Sequence, residues 1–267
     1  GLLQNWGDIQ WFSSVPGTES EALYDERDPR NFIADKIIAD LDTAALYLQE
    51  AKTDGVSRIN KWMALLIQSR VALYEGSWEK YHAGGPFAVA NAQPEKYFTK
   101  AAEAASKVME SGLYELYSTG SPEVDYYNLF STQRDYSGNS EVLFWKKFDN
   151  ELGKGESSFR TEVNFRGRTP NEHSITKELA DYYLSEDGQP ISVSPLFQGH
   201  QTLTAEAQDR DPRFYQTIGV PGYPWVTTAA GEVTNYDALY DILNRGIEQN
   251  SPGGYVVRKG YDTREIY

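Results

Sequence analysis

The chain contains no cysteine. Disulfide staples, thiolate metal sites and cysteine nucleophiles are therefore excluded, and packing alone has to hold the fold. Long apolar runs are missing too: none approaches the ~20 residues that a membrane-spanning helix requires. Positive charge is scarce. Lys and Arg total 25 against 39 Asp and Glu, a formal charge of −14. A phosphate backbone or an anionic lipid surface finds no matching field in such a chain, so nucleic acid is excluded as an expected partner. No five like charges adjoin, so the acidity is a solvated surface and not a tail. The first residues, Gly1 to Trp6, carry no basic flank followed by an apolar stretch. No signal peptide is expected there, and the chain reads as a processed or excised segment.

Catalytic signatures are equally sparse. The three histidines, His82, His173 and His200, lie far apart and outside any HExxH pattern. There is no G-x-S-x-G elbow, and Gly153-Lys154-Gly155 lacks the spacing of a phosphate loop. Asp135, Asn139 and Glu141 surround Gly138 with oxygens that suit calcium, but EF-hand spacing is absent and a surface turn is the preferred reading. No metal and no cofactor is expected. The enzyme class left open is a helical glycoside hydrolase, because two carboxylates at a suitable separation leave no local signature.

What is present is helical periodicity. Asp28-Pro29 reads as a cap followed by proline at the first helical position. Ile33, Ile37, Leu41, Ala44 and Leu48 then form one face, with Asp54-Gly55 closing the segment. A second helix starts near Asn60, carries Met63, Ile67, Val71 and Tyr74, and ends at Gly76. A third opens at Pro94, with Tyr97, Ala101, Ala104 and Val108 on its face and Gly112 at its end. Alanines at helical spacing allow close antiparallel pairs, the unit of tetratricopeptide-like repeats, although no clean 34-residue period is found. The expected fold is mainly α: TPR-like helix pairs, long irregular loops and a few short strands. Residues 28–112 form the helical scaffold and 113–267 a loop-rich part.

In that second part Tyr114–Tyr117, Val142–Phe148, Tyr215–Val220 and Tyr255–Lys259 read as extended segments, and Ser121–Ser140 as loop. A helix is expected from about Ser174, with Ile175, Leu179, Tyr182 and Tyr183 on one side, and a short one near Thr204–Gln208. Residues 1–27 and 77–93 read as loops.

Aromatic residues make up 13% of the chain, with 19 Tyr, which is rich for helices. Sugar rings stack their apolar C–H faces on Trp and Tyr, while their hydroxyls need polar neighbours. Three segments mix the two. Pro221 to Trp225 offers Tyr223 and Trp225 on a proline-stiffened loop. Trp6 and Trp11 stand among Asn5, Asp8 and Gln10, and Trp78 and Tyr81 adjoin His82. These six aromatics are the candidate glycan contacts.

Several stretches in order resemble the SusD/RagB family. They are Arg27-Asp-Pro-Arg-Asn-Phe-Ile through Asp40-Leu-Asp-Thr-Ala, and Arg58-Ile-Asn-Lys-Trp-Met-Ala-Leu-Leu-Ile-Gln-Ser-Arg-Val-Ala-Leu-Tyr-Glu-Gly-Ser-Trp. Glu141-Val-Leu-Phe, Asp187-Gly188 and Arg210-Asp-Pro-Arg-Phe-Tyr continue the order. The resemblance implies a single domain, incomplete at both ends in this chain. It also implies a non-catalytic role: a lipid-anchored outer-membrane protein that binds glycan at the cell surface for import through a SusC-like TonB-dependent transporter. The lipid anchor would lie outside this chain. Both Arg-Asp-Pro-Arg motifs are expected to serve as helix caps and salt bridges. A peptide-binding relative, the glycoside hydrolase and a pure protein adaptor stay open beside this reading.

Overall fold

The computed structural model describes residues 1–51, 58–130, 136, 138–145, 174–227, 233–235 and 254–260, with the side chains of 225–227 and 234 excepted. Asp54, Gly55, Asp135 and Phe148 lie outside these residues. Contacts divide the chain into two units, residues 1–116 with 140–147 and residues 117–139 with 148–267.

In the first unit α1 (Leu2–Trp6), α2 (Arg30–Tyr47), α3 (Lys61–Tyr81) and α4 (Pro94–Glu110) follow one another, with a 3-10 turn at Glu21–Tyr24 between α1 and α2. The amino-terminal residues expected as loop thus hold a short helix. α4 matches its sequence reading: Pro94 is at its start, Tyr97, Ala101, Ala104 and Val108 are its buried residues, and Gly112 follows in a left-handed conformation (φ 66°).

α3 corrects two expectations. It does not stop at Gly76 but runs to Tyr81, so Trp78 and Tyr81 stand on a helix and not in a loop. Gly76 serves close approach instead of termination. A Cβ there would stand 3.0 Å from the Phe98 ring and 3.0 Å from the Pro94 carbonyl oxygen. The buried face is also rotated from the expected stripe. Ala64, Leu65, Gln68, Ala72, Glu75, Gly76 and Glu79 are buried, while Met63, Ile67, Val71 and Tyr74 are half-exposed. Small residues let the α4 backbone in, and the polar ones are there because each meets a partner. Gln68 donates to the Ile38 carbonyl (3.0 Å), and Glu79 accepts from the Gln93 backbone N–H.

The start of α2 is corrected as well. Asp28 does not cap it: its carboxylate accepts from the Trp11 N–H at 2.8 Å. The free Arg30 N–H donates to Asp8, 22 residues back, at 2.9 Å. The bridge Ile9↔Asp28 holds the two segments in that register. α2 ends at Tyr47, before Asp54-Gly55. Ile33, Ala34, Ile38, Ala72, Tyr97 and Ala101 form one core cluster with Leu3, and Ala45, Ala64, Leu65, Ala104 and Val108 form another.

Arg30 is itself buried. Its Nε and Nη2 donate to the Glu75 carboxylate at 2.8–3.1 Å, a two-pronged pair across α2 and α3.

The second unit has short elements: α5 (Pro122–Phe130), α6 (Lys177–Tyr182), α7 (Leu203–Ala207), α8 (Arg213–Thr217), β1 (Pro224–Thr227) and β2 (Val233–Asn235). α5 forms where a loop was expected, and α8 occupies much of the expected strand 215–220. The carboxyl end of that segment still pairs, through the bridge Ile218↔Val257 and the bond from the Gly219 N–H to Val256 O. β1 and β2 pair antiparallel within the expected 221–254 loop. Tyr114–Tyr117 and 142–145 form no named strand; within the first unit the Glu115 N–H donates to the Ser140 carbonyl at 3.2 Å. Ala180, Leu203, Phe214, Ile218, Val220 and Tyr255 are the core. Gln216 ties α8 to α5, accepting from the Tyr127 N–H at 2.8 Å and donating to Pro122 O at 2.9 Å.

Two outcomes follow for the helical unit. Glu75→Ala strands a buried guanidinium and should cost about 3–5 kcal/mol in urea unfolding, whereas Arg30→Met/Glu75→Leu should recover most of that loss. Glu79 is buried with Oε1 unpartnered. Burial, opposed by the Gln93 N–H bond and assisted by the nearby Glu75 charge, raises its pKa above the ordinary carboxylate range. An acid raised in the folded state stabilises less as pH rises through that range. Glu79→Gln should therefore gain stability relative to the parent as melts move from pH 4 to pH 8; parallel pH profiles would refute this.

Candidate functional site

The six aromatics singled out by sequence occupy different settings. In the first unit Trp6 is 69% exposed and Tyr81 77% exposed. Trp11 is half-buried against the Ile33 cluster. Trp78 is enclosed. The His82 imidazole stacks on it at 3.9 Å, and the Arg30 guanidinium carbon stands 4.0 Å from its ring centroid. Both groups are in contact with the indole, so much of its ring area is committed to the protein. Its N–H donates to Phe87 O at 3.3 Å. Trp78 is a structural ring that sandwiches the buried ion pair, with a cation–π contribution.

In the second unit Trp225 stands on β1, with its side chain outside the described residues. Tyr223 stacks on Tyr215 at 4.5 Å, and the Arg258 guanidinium lies 5.5 Å from its ring. Burial raises the Tyr223 hydroxyl pKa, with Arg258 opposing. One face of this ring is thus committed to the protein.

The second unit also forms a cleft that the sequence reading missed. α6 begins where Thr176 accepts from the Leu179 N–H at 3.2 Å. Lys177, Glu178, Asp181 and Tyr182 line one side of the cleft. The 190–200 segment stands opposite, and between the two lies an open cleft of about 590 Å³ lined by these residues with Pro190, Ile191, Ser192, Phe197 and His200. Tyr182 is 70% exposed, and its hydroxyl donates to Glu178 at 3.0 Å. Among the described residues no ring or cation stands over it. Phe197 meets His200 edge to face at 4.8 Å.

Tyr182 and Tyr183 had been expected on one side. Adjacent helical residues diverge by about 100°, so only one of them can face the core. Tyr183 does so: it packs edge-on against Phe214, and its hydroxyl donates to Thr217 at 2.8 Å. The divergence separates the two rings, and the contacts with Phe214 and Thr217 decide that Tyr182 is the outward one.

Charges behind the cleft are balanced internally. Asp181, His200 and Glu206 bring one donor atom each within 4.8 Å of one another. Lys177 already donates to Asp181 at 2.7 Å and lies 3.4 Å from His200 Nε2. The other ring nitrogen, Nδ1, faces Glu206 at 3.4 Å. The Tyr255 hydroxyl lies 3.0–3.1 Å from both Glu206 oxygens. Buried Arg210, whose pKa burial lowers against the pull of Glu206, completes the network. With two cations in place, the cluster is a side-chain network and carries no metal assignment.

A second cavity of about 590 Å³ lies between α2 and α4. The pairs Lys96–Asp35 and Lys100–Asp42 cross it, and its one ring, Tyr97, is buried. It offers ions and no exposed platform.

The exposure pattern has a spectroscopic consequence. Trp6→Phe should remove a larger share of acrylamide-quenchable emission than Trp78→Phe; equal losses would contradict the enclosed position of Trp78.

Comparison with known proteins places this geometry. The SusD family matches residues 117–267, more than half of the chain. A SusD-like protein from Bacteroides fragilis shares the fold with a TM-score of 0.68 at 20% identity, over 100% of this chain and 49% of its own. A SusD-like carbohydrate-binding protein from the same organism superposes with a TM-score of 0.63 at 19% identity, over 97% of this chain and 45% of its own. The chain therefore spans about half the length of these structures. No curated protein matches it.

Proposed function

The chain belongs to the SusD family, and from that premise we propose that it captures oligosaccharide or polysaccharide at the bacterial outer-membrane surface without transforming it. In this reading the bound glycan passes to a SusC-like TonB-dependent transporter, and the helical scaffold of 28–112 faces that partner. The family match over 117–267 is the observation that carries the proposal.

Physical features support it. Trp6 and Tyr81 present large ring area to solvent, with the Lys80 ammonium 5.7 Å from the Tyr81 ring centroid, and rings of this kind supply apolar contact at low ordering cost. Both are proposed as stacking contacts, with Trp225 a third, proposed from its sequence context. Tyr223, stacked on Tyr215, has one face left to give. Trp11 and Trp78 support the surface from beneath. No helix among the described residues is long and apolar enough to cross a membrane.

Calorimetric titration with maltohexaose, cellohexaose, xylohexaose, mannohexaose and tetragalacturonate tests the proposal. Binding to at least one of them, without new reducing ends on prolonged incubation, is expected. Trp6→Ala and Tyr81→Ala should each weaken it several-fold, as loss of a partly exposed aromatic contact does. Turnover abolished by one carboxylate substitution would make the protein a hydrolase instead. Silence toward every sugar would remove the glycan reading.

A further inference from the structure

Resting on the glycan-capture reading, we propose that the cleft between α6 and the 190–200 segment is a subsite for a neutral pyranoside, with Tyr182 as its stacking platform. Three observations converge there. The cavity, about 590 Å³, is of the size that takes a small ligand. Its aromatic platform is exposed yet fixed, because the Tyr182 hydroxyl is tied to Glu178 at 3.0 Å. A fixed ring loses little freedom when a sugar settles on it. The polar groups on the walls are also of both kinds. Lys177 donates and Asp181 accepts, and Ser192 does either, as sugar hydroxyls require. The other cavity of equal size lacks an exposed ring, so size alone does not generate the assignment.

The sign of the charge narrows the ligand. The lining holds one ammonium, Lys177, against two carboxylates, Glu178 and Asp181, and that ammonium is already paired with Asp181 at 2.7 Å. A uronate entering the cleft meets like charge on α6, a lysine already paired with Asp181, and the His200 imidazole on the opposite wall. Neutral hexose or pentose units meet no such penalty.

The full 267-residue chain is titrated with the four neutral hexasaccharides and with tetragalacturonate, as the parent and as three variants. Tyr182→Ala removes the platform, and Ser192→Trp fills the cleft while leaving the platform in place. Tyr47→Ala removes an exposed tyrosine elsewhere. Tyr182 is 70% exposed, so its truncation leaves the core intact, and unchanged melting curves verify that. Expected is a loss of about tenfold or more in affinity for the preferred neutral sugar in Tyr182→Ala and in Ser192→Trp, the size of a buried aromatic contact. Tyr47→Ala should bind as the parent, and tetragalacturonate should bind none of the four. If Tyr182→Ala and Ser192→Trp bind as the parent while the parent still binds sugar, the subsite is overturned and glycan capture stands. If tetragalacturonate outcompetes the neutral sugars, the neutral assignment falls. If the parent binds no sugar, both readings fall together.

Discussion

The ion pair between Arg30 and Glu75 is the constraint around which the helical unit is arranged. Both side chains are almost fully removed from solvent. A buried charge is tolerable only when its partner and its remaining hydrogen bonds are in place. The guanidinium meets the carboxylate with two donors and lies against the Trp78 ring, with Tyr74 at 5.9 Å. Three consequences follow. α2 must enter at the level of Glu75, and Asp8 is brought round to accept the Arg30 N–H. α3 must continue past Gly76 to supply Trp78, while that glycine admits Phe98 and the start of α4. Trp78, a sugar platform by composition, becomes a lid on an ion pair.

The second unit solves a similar problem with a different residue. Buried Arg210 donates to the carbonyls of Ala180, Tyr183 and Glu206. It thereby gathers α6, its exit and α7 around one cation. The tetrapeptide Arg-Asp-Pro-Arg occurs in both units, yet the buried arginine follows the proline at Arg30 and precedes it at Arg210. Arg27 and Arg213 remain exposed. Arg213 pairs with Asp211 at the surface, whereas Asp28 turns to the Trp11 backbone. The same four letters thus perform opposite placements, because the neighbouring helix decides which arginine meets acceptors.

Binding chemistry follows from what these networks leave over. Rings drawn into ion pairs or stacked on one another, such as Trp78 and Tyr223, have at least one face committed to the protein. Rings at helix ends, such as Trp6, Tyr81 and Tyr182, keep theirs. Hydroxyl-rich, uncharged ligands suit such rings on an acidic surface, since stacking needs no counter-charge and the carboxylates accept hydrogen bonds.

The sequence by itself determined the helical class, the family and the α4 face. Each of these rests on local periodicity, turn chemistry or motif order along the chain. It also determined the pool of candidate aromatics and the poor match to a nucleic-acid backbone, which are matters of composition and net charge. It did not determine which face of α3 is buried, because apolar periodicity picks large residues. Packing there selected Ala64, Ala72 and Gly76, with Glu75 and Glu79 held by partners far along the chain. Nor could it separate Tyr182 from Tyr183, or an enclosed Trp78 from an exposed Trp6. Exposure is fixed by groups tens of residues away: Arg30 for Trp78, Phe214 and Thr217 for Tyr183. Only the tertiary structure brings those groups to the ring, and so only it decides which aromatic surface remains for a ligand.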